Sequence, residues 1–461
     1  MTATTIGRLD RRFAGELVWP GADSYDELRR VFNGMIDRRP GVIARCTSSA
    51  DVAAAIDHAR EHQLPLSVHG GGHGVAGHAV CDDGVMVDLR PMKGALVDPD
   101  RRTVRAQAGL TWGELDAQTQ AFGLAVTGGR MSTTGVAGLT LGSGSGWLER
   151  KLGLTADNLI SAEVVLADGS VVTASEREHP DLFWGLRGGS GNFGVVTSFE
   201  FRLHPVGPIV LGGMLMHPGP RAGEVLRFFR EFMADAPDEV GAGVALITAP
   251  PAPFVPEPAR GKPAAGIIVC YAGPVEEGER VLAPLRELGP PMLDMVTPMP
   301  YTEVQRLIDP INPPGMQNYW GGDFLPELSD DAIDVFCSAH GAVPSPHSLL
   351  VILAGGGQIA RVDEDAMALG QRQALYNTHL IAMWPDPVDS QRNIEWVRDL
   401  RAASRPHTTG GAFLNFLGEE GRHHVRRAFG AGKYQRLVQI KDCYDPDNLF
   451  RLNQNIPPSG T

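Results

Sequence analysis

Between residues 42 and 108 short apolar runs alternate with amphipathic stretches. VIARC at 42–46 and LPLSV at 64–68 are brief and β-prone, whereas ADVAAAIDHAREH at 50–62 puts Val52, Ile56 and Ala59 on one face at helical spacing. Ser48 or Ser49 stands ready to cap that helix. The pattern predicts strand, helix, strand, and the second strand feeds directly into glycine. VMVDL at 85–89 and TVRAQA at 103–108 predict further strands, and TWGELDAQTQAFG at 111–123 predicts a capped helix ending at glycine. A glycine-studded stretch over 127–159 follows, then the alternating pair SAEVVLADGSVVTASE, whose Asp168-Gly169 suits a tight hairpin. From 206 to about 410, Pro-rich joints (APPAPFVPEPARGKP, INPPGMQ, WPDPVD) separate strand-like from helix-like runs, which predicts a second α+β domain. The last fifty residues return to loop-rich packing, and no repeat of fixed period occurs.

A chain of 461 residues exceeds an ordinary single core, which agrees with two domains. Apolar residues at 43% and charged residues at 21% describe a globular chain. The net charge of −13 argues against nucleic acid, which requires a basic stripe; RLDRR at 8–12 and RHHVRR at 422–427 read as solvated surface. Five scattered cysteines, at 46, 81, 270, 337 and 443, form neither a disulfide framework nor a CxxC pair and suit a reducing compartment. The amino terminus shows no signal-peptide pattern and no apolar run could span a bilayer, so the expectation is a cytoplasmic protein without membrane contact.

Two glycine loops invite a ligand. GGSGNFG at 188–194 is a formal GxGxxG, but a helix-like run precedes it and a strand-like run follows. A dinucleotide fingerprint needs the opposite order, so this reading is rejected. SVHGGGHGVAGHA at 67–79 holds His69, His73 and His78. Three glycines between the first two break the helical turn that a metal pair at i, i+4 would use, and no metal is expected. Two readings remain: a plain glycine turn with surface histidines, or a nest of backbone N–H groups that holds a pyrophosphate. The strand-then-glycine order favours the nest.

VHGGGHGVAG at 68–77 resembles the flavin loop of FAD-linked oxidases of the vanillyl-alcohol oxidase superfamily, in the berberine-bridge-enzyme-like branch. TTGVAGLTLGSGSGWLERKLGLTADNLISAEVVLADG, LFWGLRGGSGNFGVVTSFEFRL and YDPDNLFRLNQNIPP resemble three further family segments in the same order. The resemblance implies an α+β fold with a PCMH-type FAD-binding domain, assembled from 1–205 and 412–461, and a substrate domain at 206–411 whose sheet covers the flavin. It implies that His73 bonds covalently to the flavin 8α-methyl, with His69 where arginine is common. Relatives often add a second bond through cysteine; Met131 occupies that position, so a single link is expected. By the same resemblance the FAD contacts fall on His69, Gly70, Gly71, Gly72, His73 and Gly74, and on Thr133, Thr134, Gly135, Gly138, Leu141, Gly142, Gly146 and Trp147. Val195, Val196, Asn453 and Asn455 complete the set.

For chemistry, QNYWGGDF at 317–324 resembles a family strand with a Tyr-Trp pair, although Gly321 replaces a frequent lysine. Tyr319 is the phenolic candidate for acid–base work. GGAFLNFLGEE at 410–420 keeps the amide of Asn415 while Phe413 and Phe416 replace tyrosines, which implies a drier pocket. His379 and Trp384, on the strand-like THLIAMWPDP, are expected near the ring, together with Trp320. The resulting expectation is an oxidase acting on a C–OH or C–N bond of a small aromatic or natural-product-like molecule, with dioxygen reduced to hydrogen peroxide. The scaffold is compatible with a homodimer. Three alternatives stand beside it: a dehydrogenase with poor oxygen access, a flavin-binding protein without catalysis, and a metallohydrolase built on the three histidines.

Overall fold

A computed structural model describes residues 13–411, 413–418 and 421–460. RLDRR at 8–12 lies outside the described residues, as do the side chains of two residues in RHHVRR. The N-terminal half holds two larger sheets and a two-stranded one, Leu124–Ala125 with His204–Pro205. In the first, the strands Val42–Arg45, Val85–Asp88 and Leu66–His69 run parallel, and Glu16–Val18 joins antiparallel at one edge. Parallel strands need a crossover, and the helix Ser49–Glu61 supplies the one from Val42–Arg45 to Leu66–His69, with Val85–Asp88 between them in the sheet. Ser48 caps that helix, and Asp51 returns the favour in a capping box that also fixes Thr47. The second sheet is antiparallel, in the order Ala95–Asp98, Thr103–Gln107, Val195–Arg202, Leu159–Val165, Val171–Ser175.

The Asp168-Gly169 hairpin is one residue longer than the two-residue form. Leu166 N–H donates to Ser170 at 2.9 Å, and Gly169 takes φ +85° to turn the chain. The helix Pro180–Leu186 precedes the GGSGNFG loop and the strand Val195–Arg202 follows it, the order that rules out a dinucleotide turn.

Residues after 206 build one antiparallel sheet of eight strands. Its central strands are Ile209–Pro218, Pro263–Tyr271, Val240–Thr248, Leu349–Ala354, Tyr376–Trp384 and, at one edge, Gln317–Leu325. Side chains alternate strictly. Val244, Leu246, Leu350, Ile352, Leu380 and Ala382 point into a core shared with the helices Ala222–Asp235, Asp330–Gly341 and Ser390–Ser404. Their odd-numbered neighbours Ala245, Ile247, Leu353 and Ile381 point the other way, toward the N-terminal half. That period of two gives the sheet one face for packing and one for the site. A separate core gathers residues from Val42 to Leu203 and takes in Leu437, Ile440, Phe450 and Ile456 from the end of the chain. Buried Lys441 ties this return, donating to Asn192 O at 2.8 Å and pairing with Asp445 at 2.7 Å.

Candidate active site

Between the glycine loops and the free face of the eight-stranded sheet lies a cavity of about 950 Å³. Its floor is backbone: Gly70, Gly71, Gly72 and Gly74 from the loop after Leu66–His69, and Gly135, Gly138 and Gly142 from the second glycine segment. These glycines are dictated by contact. A Cβ on Gly71 would stand 2.3 Å from Gly135 N, and one on Gly142 would stand 1.9 Å from Asn415 Oδ1. Gly74 and Gly138 have nothing within 4 Å of that position, so the open space reaches the main chain there. Thr134, Leu141, Trp147, Val195, Val196 and Asn453 also line the cavity, as does Met131.

His73 projects into this space from the glycine loop and is half-buried. Its ring stacks on Phe32, and its Nε2 lies 2.9 Å from Thr133 Oγ1. Burial pushes the imidazole down to about 4, so it is neutral at pH 7.

The roof is almost wholly apolar, formed by Met214, Ile247, Ile268, Trp320, Val351 and Ile381 among others. His379 is set into it, flanked in register by Val351 and Gly322. Its ring stacks on Phe416 at 3.7 Å, and its Nε2 is enclosed without a hydrogen-bond partner among the described residues. Burial, assisted by the nearby Arg130 cation, holds this imidazole well below its ordinary value and therefore neutral. Arg130 lines the wall, donates to Ser145 at 2.8 Å, pairs with Glu149 at 2.9 Å and lies over the Trp147 ring. Asn415 donates from Nδ2 to Gly138 O at 3.0 Å and leaves Oδ1 buried and unpartnered.

The tertiary structure separates several expected site residues from the cavity. His69 is buried beneath the loop, with its Nε2 only 2.7 Å from where a Gly72 Cβ would sit, and burial takes it down to about 3. It supports the loop from below. Thr133 reaches the site through His73 rather than by lining the cavity, and Gly146 is pressed against Gly128 O. Asn455 keeps a buried, unpartnered Oδ1 away from the lining. Tyr319 is a correction. Trp320 takes the cavity side of the edge strand, so alternation sends Tyr319 to the helix side, where Arg398 lies over its ring and donates to its hydroxyl at 3.5 Å. Trp384 likewise faces the helices and donates to Ser390 at 3.2 Å, and Phe413 packs beside Phe324. Sequence reasoning missed Phe32 and Arg130. Phe32 lies outside every glycine motif, and nothing in its neighbours along the chain marks it.

A glycine-floored slot of this volume, with orphaned amide oxygens on Asn415 and Asn453, fits a long cofactor such as FAD. The comparisons agree. The family model described as FAD binding domain matches residues 40–175, and that described as Berberine and berberine like matches residues 412–457. An FAD-linked oxidoreductase of Dictyostelium discoideum is 30% identical over 445 residues, covering 95% of this chain and 93% of its own. (R)-6-hydroxynicotine oxidase of Paenarthrobacter nicotinovorans is 30% identical, with 97% of each chain covered. The crystal structure of 6-hydroxy-D-nicotine oxidase from Arthrobacter nicotinovorans superposes with a TM-score of 0.87 at 29% identity, over 97% of this chain and 98% of that one. Berberine bridge enzyme from Eschscholzia californica shares the fold, with a TM-score of 0.85 at 18% identity over 99% of both chains. The chain belongs to the FAD-linked oxidoreductases of the berberine-bridge-enzyme-like family, and FAD is its cofactor.

Proposed function

We propose that this chain is an oxidase that holds its FAD through one covalent bond, to His73, and oxidises a C–OH or C–N bond of an apolar, aromatic small molecule. One observation carries the reading: the strands that roof the cavity present mainly apolar side chains, with the neutral imidazole of His379 set among them. A sugar would leave its hydroxyls without partners on such a wall, whereas a flat ring gains from burial against Trp320 and Phe416. The relative named (R)-6-hydroxynicotine oxidase, which also matches over nearly its full length, supports an aromatic C–N substrate.

Bound FAD supplies a two-electron acceptor. The protein's own groups do the rest. His379, neutral at pH 7, accepts the proton of the substrate's O–H or N–H as the adjacent carbon is oxidised. Asn415 Oδ1, unpartnered and backed by the Gly138 contact, orients a donor on the substrate or on the cofactor. Trp320, Ile381 and Val351 exclude water from the reacting carbon. Neutral His73 has a lone pair for the link, and Met131, whose thioether cannot repeat it, supports single attachment. Dioxygen is the electron acceptor, with hydrogen peroxide as product.

The test is anaerobic bleaching of the purified yellow protein by a panel of aromatic alcohols, aromatic amines and oligosaccharides, followed by peroxide measurement in air. Bleaching by sugars alone refutes the substrate class, and bleaching without peroxide on re-aeration replaces the oxidase by a dehydrogenase. His73→Ala is expected to release its flavin on acid precipitation, whereas Met131→Ala keeps it; yellow acid-precipitated His73→Ala protein refutes the attachment site.

A further inference from the structure

We propose that Phe32 and Thr133 are positioning residues for His73, clamping its imidazole in the orientation from which it bonds to the flavin. The inference rests on the covalent link proposed above. The Phe32 and His73 ring centroids are 4.6 Å apart with their planes at 18°. Thr133 Oγ1 meets Nε2 at 2.9 Å. The two contacts restrict different motions. Stacking fixes the tilt of the ring but leaves it free to turn in its own plane, and the hydrogen bond at one nitrogen removes that turn. With Nε2 engaged, Nδ1 is the other ring nitrogen.

Phe32 is itself held at both ends. Its N–H donates to Gly72 O at 3.0 Å, in the loop that carries His73, and its carbonyl accepts from Gly315 N at 2.9 Å. The next residue extends the stitch: Asn33 Nδ2 donates to Val75 O at 2.8 Å and Asn318 O at 2.9 Å, while its Oδ1 accepts from Asn318 N at 3.0 Å. Position 34 must be glycine, because a Cβ there would lie 2.2 Å from Gly315 O. Asn318 is the second residue of the strand that carries Trp320, and the Trp320 ring meets Phe32 edge-on at 6.1 Å. Phe32 therefore sits on a segment fixed simultaneously to the flavin loop and to the substrate wall. A loop of bare glycine could not orient a side chain by itself; this segment does it from outside.

The step served is an oxidation. A nitrogen–carbon bond forms between the imidazole and the flavin methyl carbon, one C–H and one N–H bond break, and two protons leave. The two electrons pass to the ring system and then to dioxygen, which with two protons yields hydrogen peroxide. Such a step needs a nitrogen held close and aligned, so losing the clamp slows it without abolishing cofactor binding.

The experiment follows the appearance of acid-stable flavin after FAD is added to full-length protein produced under flavin limitation, with non-covalent binding read in parallel by flavin fluorescence quenching. Phe32→Leu and Thr133→Val are each expected to slow attachment roughly three- to tenfold, whereas Phe32→Tyr and Thr133→Ser stay within about twofold of wild type. Non-covalent affinity is expected to hold in all four. Should Phe32→Leu fail to fold, Thr133→Val against Thr133→Ser decides the matter. Unchanged attachment rates in both Phe32→Leu and Thr133→Val, with wild type attached normally, overturn the clamp alone. Wild-type flavin wholly released by acid, or attachment surviving in His73→Ala, overturns the covalent reading and the clamp with it.

Discussion

Replacing His379 by leucine separates the stability of the site from its chemistry. In the wild type, Nε2 is enclosed without a partner, which costs about 1–3 kcal/mol relative to an apolar group of similar shape. Leucine removes that cost and forfeits the stack on Phe416, worth about 0.5–1.5 kcal/mol. The net change is therefore small, and neutral to stabilising. Removing a proton acceptor that touches substrate costs about 10²-fold or more in kcat/KM. Acid should widen the stability difference. His379 titrates well below 6.5 when folded, so below pH 6.5 the unfolded chain takes up a proton that the folded chain refuses, and wild-type stability falls as pH falls. The leucine variant lacks this liability, so its advantage grows from pH 7 to pH 5. Thermal melts at both pH values, with kcat/KM on any substrate that bleaches the flavin, measure all three effects. Activity within threefold of wild type, or a melting midpoint several degrees lower at both pH values, refutes the assigned role.

Tyr319→Phe is expected to leave kcat/KM within about twofold, because its hydroxyl faces Arg398 on the far side of the sheet; initial rates check it. Lys441→Met is expected to destabilise the chain by about 3–5 kcal/mol in denaturant titrations, since it strands the fully buried Asp445 carboxylate; Lys441→Met/Asp445→Asn should recover part of that loss. Asp116, on the helix Trp112–Gln120, is buried beside Gln305 with its carboxyl pushed up to about 7. A raised folded value means its neutral form is favoured in place, and stability is lost as pH rises toward and through 7. Asp116→Asn is expected to melt higher than wild type at pH 8.5, with the gap closing by pH 4; a gap independent of pH contradicts the burial argument.

Local elements were legible wherever one physical signal dominated. The helix Ser49–Glu61 follows from apolar spacing and a serine cap, and the strand into the glycine loop follows from LPLSV meeting three glycines. His73 was legible only through the motif that resembles the family's flavin loop, in which Gly71 and Gly72 are fixed by close contacts. Tyr319 was misplaced because a two-residue period says that Tyr319 and Trp320 face opposite sides, but not which side faces the cavity. Phe32 was invisible for another reason. Its partners at 72, 73, 315 and 320 lie far away in sequence, and a lone phenylalanine carries no local mark of a stack.

Sequence alone determined the strand and helix order around the glycine loops, and it carried the family resemblance that singles out His73. The element order depends on steric and capping rules that act over a few residues. Folding decided which face of the eight-stranded sheet closes the cavity, that His379 is stripped of water and neutral, and that Phe32 holds His73. Desolvation and side-chain contact depend on what the rest of the chain brings alongside, and only the packed molecule supplies those neighbours.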